Sequence, residues 1–252
     1  MEICTSLIFF LFGIIFGSFF MVVGIRLPQK ISFTHGRSKC PSCSCQLAWY
    51  DNIPILSYIL LKGRCRKCRY KISSLYPLIE VFTGFLFVLC YLHAASPPEL
   101  LLSLLFMSLL IIIIITDLCY MLIPNKLLAF YLPAFILFRI IEPLNPWWNS
   151  VAGGLTGFLI IFIVILWNKQ GMGGGDMKLL AVLGIVLGPS HVIAAFLLAC
   201  FSGALIGSIL IHFGMIQRNK PFPFGPFIAF GSILAYFLGE VIIQWYLNLF
   251  TI

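Results

Sequence analysis

Long apolar segments are the feature that most limits what this chain can fold into. Apolar residues make up 61% of its 252 residues and charged residues only 10%, against about 45–50% and about 25% in a soluble domain. A helix needs roughly 20 residues to cross a hydrocarbon core of about 30 Å. The pattern predicts an all-α polytopic membrane protein with about eight transmembrane helices, at residues 3–25, 76–95, 100–116, 127–141, 149–167, 178–189, 191–213 and 225–248.

The basic residues predict how these helices are oriented. Ten of the 16 Lys and Arg residues fall within residues 26–71, and only Arg139 falls on the opposite face. The other five share the face of residues 26–71, namely Lys126, Lys169, Lys178, Arg218 and Lys220. Because cytoplasmic loops retain Lys and Arg in excess, we expect residues 26–75 to be cytoplasmic and both termini to lie outside the cytoplasm. The net charge of +8 then needs no nucleic-acid partner, since a basic loop suits the surface of a lipid bilayer.

The predicted cytoplasmic loop carries two C-x-x-C pairs, Cys40 with Cys43 and Cys65 with Cys68. Each pair can present two thiolates from a tight turn, and four thiolates form a closed, tetrahedral, structural Zn²⁺ site. Two disulfides are the alternative, but a cytoplasmic loop is in a reducing compartment. Cys45 is a spare thiol that could compete with Cys43. The sequence therefore predicts three domains: a first transmembrane helix (1–25), a zinc-binding loop (26–75) and a membrane core of about seven helices (76–252).

Two aspartates lie at the predicted membrane edge, although charge there is costly. Singly, Asp117 is explained as a loop residue at a helix end, and Asp176 as a helix cap that accepts backbone N–H bonds. Together they predict more, because both fall at the cytoplasmic edge on different helices. Two carboxylates that share one site do not both ionise, which supplies an acid and a base to activate water against a peptide carbonyl.

The residues around these aspartates leave two classes of function open. Gly173, Gly174 and Gly175 precede Asp176, and irregular backbone at membrane depth is tolerated where it lines a cavity. These glycines could let an extended substrate approach closely. The alternative is a small ion-coupled transporter, whose paired acids bind cations and whose zinc-stabilised loop acts as a sensor.

Seven sequence blocks resemble those of the type IV prepilin peptidases, membrane aspartic proteases of the GxGD type. They occur in the family's order over nearly the whole chain, as GSFFMVVGIRLP, CPSC with WYDNIPILSY, GRCRKC, YPLIEVFTG, TDLCYMLIP, GMGGGDMKL and PFGPFIAFG. The resemblance implies that Asp117 and Asp176 are the catalytic pair and that Cys40, Cys43, Cys65 and Cys68 bind zinc. This sequence departs from the family pattern at Met21, where Asn is usual, and at Asn125, where Asp is common.

The resemblance also implies substrates, a second activity and a location. Substrates would be prepilins or pseudopilins of pili, secretion systems or DNA-uptake machines, each with a basic leader and an apolar N-terminal helix. Many family members methylate the new N-terminus from S-adenosylmethionine, and use of that cofactor is expected here from the resemblance alone. The protein would be a multi-pass protein of the bacterial inner membrane. Glu80, about one turn inside the second span, is a candidate for holding substrate or cofactor.

Overall fold

A computed structural model of the chain describes residues 2–32, 38–167, 172–214 and 222–249, and these are mostly helical. Four basic residues used in the orientation argument, Arg37, Lys169, Arg218 and Lys220, lie outside them. The described helices are α1 (Glu2–Arg26), α2 (Leu56–Leu60), α3 (Leu75–His93), α4 (Pro97–Tyr120), α5 (Asn125–Ile141), α6 (Asn149–Trp167), α7 (Gly174–Leu187), α8 (Pro189–His212) and α9 (Gly225–Asn248).

The predicted all-α membrane class is confirmed. In the described part of the chain, six helices are long and apolar enough to cross a membrane, namely α1, α3, α4, α6, α8 and α9. The other two predicted spans correspond to α5 and α7, with 17 and 14 residues, so a total of eight crossings stays a prediction. Helix α4 differs most from expectation, because it continues past residue 116 to Tyr120.

The chain divides into two compact units, Met1–Ala94 and Ala95–Ile252. In the first unit, α1 packs along α3 through small residues. A Cβ added at Gly13 would lie 2.7 Å from the Cα of Gly84, and one at Gly17 would lie 2.9 Å from the Cα of Glu80. This Gly-x-x-x-Gly spacing lets two membrane helices approach at backbone distance, and it fixes Glu80 against α1.

In the second unit, α4 is the most buried of the six long apolar helices. Helices α6 and α7 approach through Gly153 and Gly184, where a Cβ on either would clash with the other's carbonyl oxygen, and through Gly157 against Leu180. Helices α8 and α9 meet at Gly231, which lies against the carbonyl of Ala195. These close contacts set the positions of α7 and α9, whose N-termini form the candidate site.

Candidate active site and metal site

Asp117 lies in the last turn of α4 and meets the beginning of α9. Its side chain is 6% exposed, and its Oδ2 accepts a hydrogen bond of 2.7 Å from the backbone N–H of Gly225, the first residue of α9. The N-terminus of a helix carries unpaired N–H groups and partial positive charge, which stabilise a carboxylate. Asp117 is thus part of a helix and not the loop residue of the simpler interpretation.

Asp176 lies in the first turn of α7, where it too is buried. Its Oδ2 accepts a hydrogen bond of 3.0 Å from the N–H of Gly173. The N-cap is therefore Gly173, and Asp176 lies inside α7 as its third residue, from which it accepts the N–H of the N-cap. The sequence interpretation, which placed Asp176 ahead of the helix, is corrected in this respect. Both aspartates are therefore buried and accept a hydrogen bond from a backbone N–H at a helix N-terminus. This arrangement stabilises a carboxylate that is shielded from water.

Three observations bring the two aspartates together. Their carboxyl groups are near enough for the charge of Asp176 to act on Asp117. The turn after α4 also touches the beginning of α7, since a Cβ added at Gly175 would lie 3.2 Å from that of Ile123. The side chain of Lys178 then donates to Asn125 Oδ1 at 3.2 Å. The turn after one aspartate is thus held against the helix that carries the other.

The glycine run differs from the expected irregular backbone. Only Gly173 is extended, with φ −89° and ψ 156°, whereas Gly174 and Gly175 already belong to α7. A Cβ added at Gly174 would meet no atom within 4 Å. Open space beside this residue leaves room for another chain to approach the backbone next to Asp176.

Gly225 is a site residue that the sequence reasoning did not single out. A Cβ at this position would lie 2.8 Å from Asp117 Oδ2 and 3.1 Å from its Cγ, so only glycine fits without displacing the carboxylate. The available signal was the PFGP sequence at 223–226, which places a glycine and a proline at a helix start. That pattern predicts a helix N-terminus but not which carboxylate it faces.

The four predicted zinc ligands form one cluster. One sulfur from each of Cys40, Cys43, Cys65 and Cys68 lies within 4.8 Å of the others. The sulfurs of Cys40 and Cys68 are 3.7 Å apart, and four sulfurs at 2.3 Å around a tetrahedral Zn²⁺ would be separated by about 3.8 Å. The donor set and its spacing therefore fit a bound metal ion.

The two halves of this cluster repeat the same backbone structure. The N–H of Cys40 donates to the carbonyl of Cys45, and the N–H of Cys65 donates in the same way to Tyr70. Isolated bridges flank both turns, Lys39 with Gln46 and Arg64 with Lys71. Cys45 is therefore the structural counterpart of Tyr70, outside the turn, which explains why the cluster contains Cys43 instead.

Backbone N–H groups stabilise the thiolate form, which binds metal, at two of the four cysteines. The N–H groups of Cys68 and Lys67 lower the pKa of Cys65 to about 6. Those of Cys43 and Ser42 lower the pKa of Cys40 in the same manner. Because the thiolate is the form that binds metal, each turn stabilises the ligand state of its first cysteine.

Glu80 has a defined partner within the first unit. It is 5% exposed, and its Oε2 accepts a hydrogen bond of 2.8 Å from the N–H of Ile55. Ile55 precedes α2 with φ 60° and ψ −53°, a positive-φ conformation that costs energy for a β-branched residue. The carboxylate of Glu80 therefore holds a strained turn in place.

The fold and these sites define a helical, multi-pass membrane protein with two buried aspartates at helix ends and a four-cysteine cluster. Two family profiles match the chain, the Bacterial Peptidase A24 N-terminal domain at residues 11–94 and the Type IV leader peptidase family at residues 104–208. The chain belongs to the type IV leader peptidase family.

Curated relatives agree with this assignment. A prepilin leader peptidase/N-methyltransferase of Bacillus subtilis is 41% identical over 242 residues, covering 96% of this chain and 98% of the relative. Proteins of the same description from Aeromonas salmonicida and Klebsiella pneumoniae are 34% and 42% identical, over 95% and 71% of this chain and 92% and 83% of theirs. No solved structure matches the chain significantly.

Proposed function

We propose that this protein cleaves the basic leader from type IV prepilins or pseudopilins on the cytoplasmic side of the membrane. The names of its relatives supply the substrate class. The observation that carries the proposal is the pairing of Asp117 and Asp176. Both are buried, come from separate helices, and lie within electrostatic reach of one another.

In the proposed reaction, one aspartate is ionised and its partner is protonated. The carboxylate takes a proton from a water molecule, whose oxygen forms a bond to the peptide carbonyl carbon. The protonated partner donates its proton to the carbonyl oxygen, which gives a tetrahedral diol. As the C–N bond breaks, the aspartate that took the water proton donates it to the leaving nitrogen, and its partner takes a proton back from a diol hydroxyl. The Gly225 N–H holds Asp117, and the Gly173 N–H holds Asp176, so neither carboxyl group has to reorient during the reaction.

The proposed substrate is an apolar helix preceded by a basic leader, so it can enter the site from the bilayer. Its glycine-containing junction would unwind beside Gly173, Gly174 and Gly175. Gly174, where open space adjoins the backbone, is the position best suited to such an approach. A backbone-to-backbone contact of this kind would position the scissile bond whatever side chains the substrate carries there.

We also propose that the protein methylates the new N-terminus, with S-adenosylmethionine supplying an electrophilic methyl group when bound. A cavity of about 860 Å³ in the first unit is lined by Arg26, Asn52, Tyr58 and Glu80, among others. Arg26 would hold the carboxylate of the cofactor, and Glu80 would hold its hydroxyl groups or the substrate amine. These polar groups fit a cofactor that carries both a carboxylate and a diol.

Two further assignments complete the proposal. The cysteine cluster binds Zn²⁺ in a structural role, since four thiolates leave no open coordination position. The protein resides in the bacterial inner membrane with both termini outside the cytoplasm, because the basic loop of residues 26–75 would be cytoplasmic. It would serve a pilus, a secretion system or a DNA-uptake machine.

Co-expression with a prepilin tests this function directly, with the mass of the pilin N-terminus as the measurement. We expect wild type to yield a shortened, methylated product, and Asp117→Asn or Asp176→Asn to leave the precursor uncut, with at least about 10²-fold slower cleavage. Asp51→Asn is the matched control for cleavage only, because Asp51 pairs with Arg66 at 2.8 Å and lines the proposed cofactor cavity. Normal cleavage by both dyad variants, with altered ion flux, would instead favour the transporter.

A further inference from the structure

Helix α2, in the loop that carries the cysteine turns, has an apolar face that the described residues leave exposed. Leu56, Ile59 and Leu60 are 59%, 64% and 80% exposed. They follow the i, i+3, i+4 spacing that places side chains on one face of a helix. Ser57 and Tyr58, on the other side of α2, line the cavity of the first unit. The helix therefore separates a cavity wall from an outward apolar surface.

Helix α2 begins at membrane depth. The N–H of Ile55, the residue before α2, donates to Glu80 at 2.8 Å. Glu80 is the sixth residue of α3 and lies about 8 Å along the helix from its beginning. Because α3 has 19 residues, which span about 28 Å, it needs its whole length to cross a hydrocarbon core of about 30 Å. The beginning of α2 therefore lies inside the membrane boundary, beside the second turn of α3.

An exposed aromatic residue lies beside this helix. The turn of Trp49–Asn52 packs against α2, and the side chain of Trp49 is 79% exposed. Tryptophan is enriched at the level of lipid headgroups, where its ring meets acyl chains and its N–H meets water. An exposed apolar face at this depth contacts acyl chains, and the burial of such a face holds an interfacial helix on a membrane.

Basic residues follow the apolar face directly. Six exposed Lys and Arg residues lie within residues 62–71, namely Lys62, Arg64, Arg66, Lys67, Arg69 and Lys71. Asp51 is the only acidic residue of residues 26–75, and it is already paired with Arg66. Clusters of roughly four to eight Lys and Arg beside a membrane helix attract anionic lipids. The apolar face and the basic cluster together match the acyl chains and headgroups of an anionic bilayer.

We propose that α2 is an interfacial anchor, which inserts Leu56, Ile59 and Leu60 into the adjoining leaflet of an anionic bilayer. The basic residues at 62–71 contact lipid headgroups, and Trp49 lies at the boundary between headgroups and acyl chains. Because the other side of α2 lines the cavity, the anchor holds that cavity wall at the depth of Glu80. This interaction does not depend on prepilin cleavage or on methyl transfer, so it can be tested separately from both.

Photocrosslinking of the full chain in lipid nanodiscs tests what covers α2. Leu60 is replaced by the photoreactive amino acid p-benzoylphenylalanine, and the crosslinked products are identified by mass spectrometry. We expect a lipid adduct, as at Leu89, an exposed position of the membrane helix α3 that serves as the reference. A peptide adduct from the same chain or from a second copy would overturn the proposal. So would the absence of any adduct at Leu60 when Leu89 gives a lipid adduct.

Limited trypsin cleavage after Lys62 measures how firmly the bilayer holds α2, since cleavage reports local opening. In nanodiscs that contain phosphatidylglycerol, Leu60→Ser should be cleaved roughly tenfold faster than wild type, because burial of one leucine side chain accounts for about that factor. Wild type should be cleaved faster in phosphatidylcholine alone than with phosphatidylglycerol, and high salt should remove this difference.

The matched control is Leu197→Ser, at an exposed position of α8, which should be cleaved after Lys62 as slowly as wild type. Metal content checks folding, because Leu60→Ser should keep its cysteine turns and any metal that they bind. Equal cleavage of Leu60→Ser and wild type would show that the apolar face is not inserted. Equal cleavage of wild type in the two lipids would show that the basic residues do not contact anionic headgroups. Either result would overturn the proposal.

Discussion

The four clustered cysteines and the two aspartates are brought together in different ways. In the turns of residues 38–72, each half of the site is a local hairpin that repeats the other. At the aspartates, the partners are 59 residues apart in the sequence, and they come within electrostatic reach of each other only through the packing of their helices. The first arrangement depends on a metal to join two local structures, and the second on helix packing.

This difference has a physical cause. A loop of few large apolar residues gains little from burial, so metal binding supplies much of its folding free energy. Membrane helices form individually and then associate through close backbone contacts, as at Gly153 and Gly184. A single substitution in the cysteine cluster should therefore unfold the cysteine turns. A single substitution beside the aspartates should displace a carboxylate but leave the helices folded.

The largest expected effect comes from Cys65→Ser. Structural zinc contributes about 10–16 kcal/mol in small zinc-binding peptides, so losing one ligand should abolish metal binding and expose residues 38–72 to protease. Metal content by mass spectrometry and limited proteolysis measure this. Cys45→Ser is the control and should keep its metal. Loss of metal in Cys45→Ser but not in Cys43→Ser would reverse the ligand assignment.

Gly225→Ala should leave the protein folded but slow prepilin cleavage about 10²-fold, since a misplacement of roughly 1 Å can cost that much. The added Cβ would lie 2.8 Å from Asp117 Oδ2 and push the carboxylate from its position. Single-turnover cleavage and thermal unfolding should be measured together. Gly207→Ala, whose Cβ would meet nothing within 4 Å, should cleave normally. Unchanged cleavage by Gly225→Ala would mean that Asp117 needs no fixed position.

Glu80→Ala should destabilise the turn before α2 by about 1–3 kcal/mol, because the N–H of Ile55 loses its acceptor. Hydrogen exchange at the Ile55 amide is the measurement and should become faster. Glu2→Ala, at an exposed position, is the control. Unchanged exchange at Ile55 combined with weaker S-adenosylmethionine binding would assign Glu80 to the ligand alone.

Asn125→Asp should have the smallest effect, a gain of up to about 1 kcal/mol in low salt. It would turn the hydrogen bond from Lys178 into an exposed ion pair and restore the residue common in the family. Thermal unfolding at low and high salt measures the gain, which should disappear in high salt and in a Lys178→Gln background. A gain that survives either change would have another origin.

Much of the fold and of the candidate sites could be predicted from the sequence, for reasons that differ between residues. The cysteine ligands are recognisable because the C-x-x-C spacing specifies a turn. The membrane helices are recognisable because their apolar segments are long enough to cross a bilayer. The pairing of Asp117 with Asp176 was suggested by their common membrane edge and by the family resemblance. The extension of α4 to Tyr120 was missed because polar residues end an apolar segment before they end a helix.

Other features depend on long-range packing and leave little local signal. Gly225 faces Asp117, Glu80 meets Ile55, and Gly153 meets Gly184. The Gly-x-x-x-Gly spacings on α1 and α6 could have predicted close helix contacts, but not their partners. A groove lined by Arg139 and Ser150, among others, exists only because α5, α6 and α7 leave a space between them.

The sequence by itself determined the membrane class, the charged loop, the four-thiol pattern and the acids at the membrane edge, because these follow from composition and short spacing. Only the tertiary structure decided which helix N-terminus faces which carboxylate and which face of α2 is left exposed. The physical reason is that hydrophobic length and turn spacing are local properties, whereas a hydrogen bond between distant segments depends on how every helix between them packs.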